Sequence, residues 1–88
     1  MKIIYKYKLG QHPAVIEMPV GAKVLHVDAQ HGHLMLWAEV DEDPHAPTEE
    51  RTFLIIGTGF SFPEELKKEF IGTVLQGYLV WHIFEKKE

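Results

Sequence analysis

An all-β domain, a small antiparallel β-sandwich or open barrel of about six to seven strands with one short helix near residues 62–69, is the fold that this sequence predicts. Three observations lead there. Apolar and polar residues alternate with a period of two through much of the chain, the repeat of a pleated strand. The alternating runs are short and are separated by turns containing Gly or Pro. Finally, the stretch Thr48 to Gly59, TEERTFLIIGTG, sends apolar side chains to both faces of one strand, so that a second layer has to cover it.

Residues 2 to 9 set Ile3, Tyr5, Tyr7 and Leu9 against Lys2, Ile4, Lys6 and Lys8. This is a buried face against a wet lysine face, the pattern of an edge strand whose lysines discourage pairing with a stray chain. Gly10 to Pro13 breaks the run. Ala14 to Met18 is a second short strand, ended by Pro19, which has no N–H to give to a ladder. Val20-Gly21 is a turn. From Ala22 to Gln30, Leu25, Val27 and Ala29 share the face expected to meet the core, with Val24, His26 and Asp28 opposite. His31-Gly32 supplies a hairpin turn, where glycine tolerates positive φ, and Leu34 to Val40 returns as the partner strand. The acidic loop Asp41 to Pro47 delivers the chain to the central strand. After Gly59, the Ser61 and Glu64 pair, an early Pro63, and acids placed before lysines predict a helix start that complements the helix dipole, with Leu66 and Phe70 as its apolar contact. Ile71 to Leu75 is a short strand and Gln76-Gly77 a turn. Tyr78 to Glu85 is a last strand, apolar on both faces and therefore interior.

Composition bounds the function. A chain of 88 residues makes one domain, residues 1–88, with one core. Its 45% hydrophobic and 25% charged residues are the mixture of a globular protein and not of a disordered one. A formal charge of −4, with no cluster of Lys and Arg, argues against generic nucleic-acid binding. The absence of cysteine excludes disulfides and thiolate metal sites and suits a reducing cytoplasm. No run approaches the roughly 18 apolar residues of a membrane span, and MKIIYKYKLG lacks the apolar core of a signal peptide. The expectation is a soluble cytoplasmic protein without a membrane partner.

The histidines invite a metal reading through His31 and His33, with His12 or His45 as further ligands. A His-Gly-His turn brings only a pair of imidazoles together, whereas a zinc site needs about three or four ligands. The expectation is therefore no metal and no cofactor, with solvated turn histidines and with His82, between Trp81 and Ile83, hydrogen-bonded in the interior. Asp41, Glu42, Asp43, Glu49 and Glu50 read as solvated charges, no nucleophile and base can be paired, and no catalytic residue is predicted. What remains is a set suited to a phosphate-bearing nucleotide. Arg51, the hydroxyls of Thr52, Thr58 and Thr73 and the backbone amides of Gly57, Gly59 and Gly72 would serve a phosphate, Trp37 and Trp81 would stack on a base, and His82 is counted among the ligand-binding residues with them. The opposing reading puts the tryptophans in the core, the glycines in turns, and Arg51 in an ion pair with Glu49 or Glu39. Two-sided apolar strands in so short a chain also predict self-association into a homo-oligomer.

Taken together, GAKVLHVDAQHG, LWAEVD, ERTFLIIGTG, FIGT and LVWHIFE resemble a family of short uncharacterised proteins of tailed phages and prophages, over nearly the whole chain from Ile3 to Glu85. Phe60-Ser61-Phe62-Pro63 departs from the family pattern, in which His and Pro follow the glycine turn, so no role is carried onto it. The resemblance implies a viral origin and no particular chemistry. It implies the work of a phage accessory protein in the host cell cytoplasm, binding a nucleotide-like small molecule or a host defence protein to blunt immunity, neither of which needs a catalytic residue. A virion structural or assembly accessory protein is the alternative, and a small hydrolase the third reading.

Overall fold

The period-two alternation resolves into seven strands in the computed structural model, which describes residues 1–88: β1 (Lys2–Lys8), β2 (Ala14–Pro19), β3 (Lys23–Gln30), β4 (His33–Asp41), β5 (Thr48–Gly57), β6 (Lys68–Gln76) and β7 (Leu79–Lys86). They form two sheets, ordered β1-β4-β3 and β2-β5-β7-β6, and every neighbouring pair is antiparallel. The sheets stack with β3 over β6 and β4 over β2, so of the predicted alternatives the sandwich is the one formed. Leu36, Ala38 and Val40 of β4 face inward with Phe53, Val74 and Ile83 of the other sheet, each at most 1% exposed. No helix of the structure is long and apolar enough to cross a membrane.

The turns follow the local chemistry. His31 and Gly32 both have positive φ, 53° and 79°, and Gln30 pairs directly with His33. This is the two-residue turn whose twist matches that of the strands it joins. The β5 strand is interior, between β2 and β7, as its apolar faces require. Phe53 and Ile55 pack toward the core, while Leu54 and Ile56 point the other way and are still buried. Topology explains the second cover. Both β5 and β6 run antiparallel to β7 between them, so they are parallel to each other, and the connection from Thr58 to Lys67 has to return across the outside of the sheet. There it lays Phe62 against Phe84, with ring centroids 6.5 Å apart.

Three expectations are corrected. The helix near residues 62–69 is absent: the segment makes a single turn, closed by the Leu66 N–H on the Pro63 carbonyl, and β6 begins at Lys68. So short a helix is marginal by itself. Here Lys68, Glu69 and Phe70 gain ladder partners in Lys86, Glu85 and Phe84 instead, and the Lys68 ammonium lies 4.4 Å from the Phe62 ring centroid. Leu25 does not face the core, because a bulge between Val24 and His26 turns it outward and lets Val24 and Val27 both point in. On β1, only Tyr7 and the Leu9 beyond it reach the core; Ile3 and Tyr5 are exposed because this edge strand overhangs the margin of the opposite sheet.

Gly72, named above for its backbone amide, faces β3 across the core. A Cβ at that position would stand 2.8 Å from Val27 Cγ2, so the missing side chain is what lets β6 and β3 approach.

Candidate functional site

A cleft of about 540 Å³ opens at one end of the sandwich, where β2 has ended but β5 continues. The last residue of β5 paired by β2 is Phe53, opposite Ala14. Beyond it the Gly10 to Pro13 loop swings past, and the Ile55 N–H donates to His12 Nδ1 at 2.9 Å, a side chain standing where a strand carbonyl would be. Leu54 and Ile56 form one wall, Leu9 and Leu34 another, and Phe60, Phe62, Pro63 and Leu66 of the crossing connection a third. Trp81 and Gln76 complete it from the β6–β7 hairpin.

Aromatic rings come close here because Gly57 has no side chain. An added Cβ would lie 3.3 Å from Trp81 and 3.4 Å from Phe60. Few polar groups line the cleft, and some are already engaged. Trp81 Nε1–H donates to Gln76 Oε1 at 2.9 Å, and Gln76 Nε2 donates to the Gly32 carbonyl at 3.1 Å. No Lys, Arg, Asp or Glu contributes to the walls. A site of this size and character holds a small molecule by burying apolar surface and orients it with a few hydrogen bonds.

The residues singled out from the sequence do not converge on one pocket. Trp81 lines the cleft and Gly57 shapes it. Trp37 alternates with the buried Leu36 and Ala38, so it lies on the outer face of its sheet, 5.8 Å from the His26 ring, and cannot stack with Trp81 on one ligand. Thr58, His82 and Thr73 do meet, on the outer face of the other sheet. Thr58 Oγ1 lies 2.8 Å from His82 Nε2 and Thr73 Oγ1 lies 3.2 Å from His82 Nδ1. A hydroxyl held by an imidazole that is itself oriented by a third group is the geometry of an activated nucleophile. This one borders neither of the concavities described here, and its evident effect is to tie the Gly57-Thr58-Gly59 turn to β6 across β7. Gly59 is a turn residue with φ of 89°. The histidines proposed as ligands lie apart: His12 on Ile55, His31 and His33 at the exposed hairpin, His45 in the acidic loop. No group of three or more His, Cys, Asp or Glu side chains is placed to hold a metal ion.

Arg51 and Thr52 sit at the opposite end of β5, six residues from Gly57 and so about 20 Å from it at the rise of a strand. They border a polar depression of about 400 Å³ with Glu49, Glu50, Glu85 and Lys86 to Glu88. Arg51 is committed there. Its Nε and Nη2 donate to the two oxygens of Glu85 at 2.6 and 2.8 Å, and Nη1 donates to the Ala22 carbonyl. The pair is sheltered, with side chains only 15% and 7% exposed. The hydrogen bond to Arg51 holds the Glu85 carboxyl below its ordinary range, outweighing burial, which pushes the other way. Arg51 is raised in turn by the same bond. Lys87 flanks the pair, 3.1 Å from Glu69 and 3.6 Å from Glu85, and Glu69 raises its ammonium.

Sequence reasoning missed most of the cleft: Leu9, His12, Leu54, Phe60, Phe62, Leu66 and Gln76. The available signal was Phe60-Ser61-Phe62-Pro63, two aromatics in a proline-containing connection.

The fold is a small two-sheet β-sandwich with an apolar cleft at one end. Over residues 1–88 the chain matches a family model described as a domain of unknown function, DUF7352, and it belongs to that family. No curated protein and no solved structure matches it.

Proposed function

We propose that this domain is a non-enzymatic binding module that takes a small, flat, uncharged ring system into the end cleft, between Phe60, Phe62 and Trp81. The observation that carries the reading is the cleft itself, about 540 Å³ with aromatic walls and no fixed charge, within the range of small-molecule sites. A base or nucleoside ring suits the aromatic walls, but no cationic side chain lines the cleft for a phosphate: the Lys68 ammonium stands over the Phe62 ring and Arg51 is paired at the far end of β5. In a phage setting, the cytoplasmic role of such a module is to sequester a base-like signal of the host.

Coumarin, a neutral bicyclic ring, is a suitable probe. Saturation-transfer NMR should show it binding wild type, and Phe60→Ala should weaken it by about fivefold or more, the lower end of what loss of one stacking face costs. Absence of binding to wild type, or unchanged binding to Phe60→Ala, overturns the reading.

A second observation favours self-association, the surface a virion assembly protein would use. Leu75, Tyr78 and Leu79 are exposed together on the β6–β7 hairpin, and β6 is the outer strand of its sheet. An apolar edge of this kind pairs with another chain. Sedimentation at high micromolar concentration should show a dimer or larger species that Leu75→Lys returns to monomer. A wild-type monomer under the same conditions removes this reading.

A further inference from the structure

We infer that the cleft selects ligands carrying a hydrogen-bond acceptor, a carbonyl or a ring nitrogen, and that His12 Nε2–H is the donor that meets it. The inference rests on the cleft being the binding site. Its own observation is the Ile55 N–H donating to His12 Nδ1 at 2.9 Å. An imidazole nitrogen that accepts a hydrogen bond carries no proton, so the neutral ring must carry its proton on Nε2. The backbone of β5 thereby sets the tautomer and the ring orientation of a residue that lines the cleft.

The other polar groups in the walls differ from His12 in a way that matters. Gln76 spends its amide on Trp81 and Gly32. Gln11 and Ser61 line the cleft on exposed loops, with no side-chain bond holding either of them. His12 alone offers a donor already held in place, and a preorganised donor adds affinity that a mobile one loses to ordering. A ligand that matches it is flat and uncharged, to suit the aromatic walls, and bears an acceptor at its rim. A purely hydrocarbon ring offers Nε2–H no acceptor.

The test has two arms. In the first, the tautomer is read without any ligand from nitrogen-resolved NMR of the imidazole side chains. The Nε2–H form of His12 is expected, and the Nδ1–H form overturns the inference. In the second, coumarin and naphthalene, bicyclic probes with and without a carbonyl, are titrated into wild type and His12→Asn. The asparagine carbonyl can still accept from Ile55 but has no donor where Nε2–H was. The ratio of coumarin to naphthalene affinity should fall about fivefold in the variant, the effect of one neutral hydrogen bond. An unchanged ratio overturns the role of His12 and leaves the cleft as the site. Failure of both probes to bind wild type removes the cleft reading and this inference with it. If the variant does not fold, the tautomer still decides.

Discussion

Glu85→Ala should remove about 3–5 kcal/mol of folding stability, the cost of breaking a sheltered ion pair from one side. The carboxylate takes both Nε and Nη2 of Arg51, and the guanidinium left behind would be only 15% exposed without its hydrogen-bonded anion, with Glu49 and Glu69 acting on it only through space. Against roughly 0.05–0.15 kcal/mol per residue for a natural domain, such a loss brings an 88-residue chain close to unfolding. Urea denaturation at neutral pH measures it. A loss under about 1 kcal/mol, the range of an exposed pair, would show that water reaches the site and that the bidentate geometry counts for little. The double substitution Arg51→Ala with Glu85→Ala should cost less than the sum of the single ones, because neither then strands a charge. Arg51→Lys belongs to the same series. Having lost the fork and the bond to Ala22, it should lower stability while leaving binding in the distant cleft unchanged.

The same pair fixes a direction for pH. Its hydrogen bond to Arg51 depresses Glu85 in the folded state. The stabilisation is therefore complete above the unfolded carboxyl value, about 4.3, and is lost as pH falls through the lower folded value. Wild-type Tm should drop steeply below about pH 4, and Glu85→Ala, which has nothing left to lose there, should drop less.

How much of this was legible in the sequence follows from the range of each interaction. The β3–β4 hairpin, the interior β5 and β7 strands and the lysine-bearing edge strand β1 are written in local alternation and in one His-Gly turn. The absent helix was misread for a local reason too. Its dipole-ordered charges also suit a strand start, where Lys68 lies over Phe62 and Phe84 and Glu69 meets Lys87. The bulge at Leu25 left no mark, since periodicity cannot announce its own interruption. Arg51 was recognised as an ion-pair candidate, but its partner proved to be 34 residues away in Glu85 instead of a neighbour such as Glu49. That choice is made by strand order, which sets β7 beside β5. The cleft is less legible still. It joins the β1–β2 loop, the end of β5, the crossing connection and the last hairpin, and no one segment carries its pattern.

Phe53 and Phe60 put that distinction to the test, because one lies within the central strand and the other just past its glycine turn. Phe53 is fully buried in the core cluster that also holds Met18, Leu36 and Ile83, and it does not line the cleft. Phe53→Ala leaves a cavity that a rigid sandwich cannot collapse, and should cost about 3–5 kcal/mol. Phe60 is 67% exposed on the crossing connection and does line the cleft. Phe60→Ala should change stability by no more than about 0.5 kcal/mol, as a surface substitution does, and show its effect in ligand uptake. Chemical denaturation of the two variants side by side, followed by coumarin titration of whichever remain folded, separates core from site. If Phe60→Ala loses stability on the scale of Phe53→Ala, the connection is a structural lid over Leu54 and Ile56, and the cleft beneath it is packing left incomplete instead of a place for a ligand.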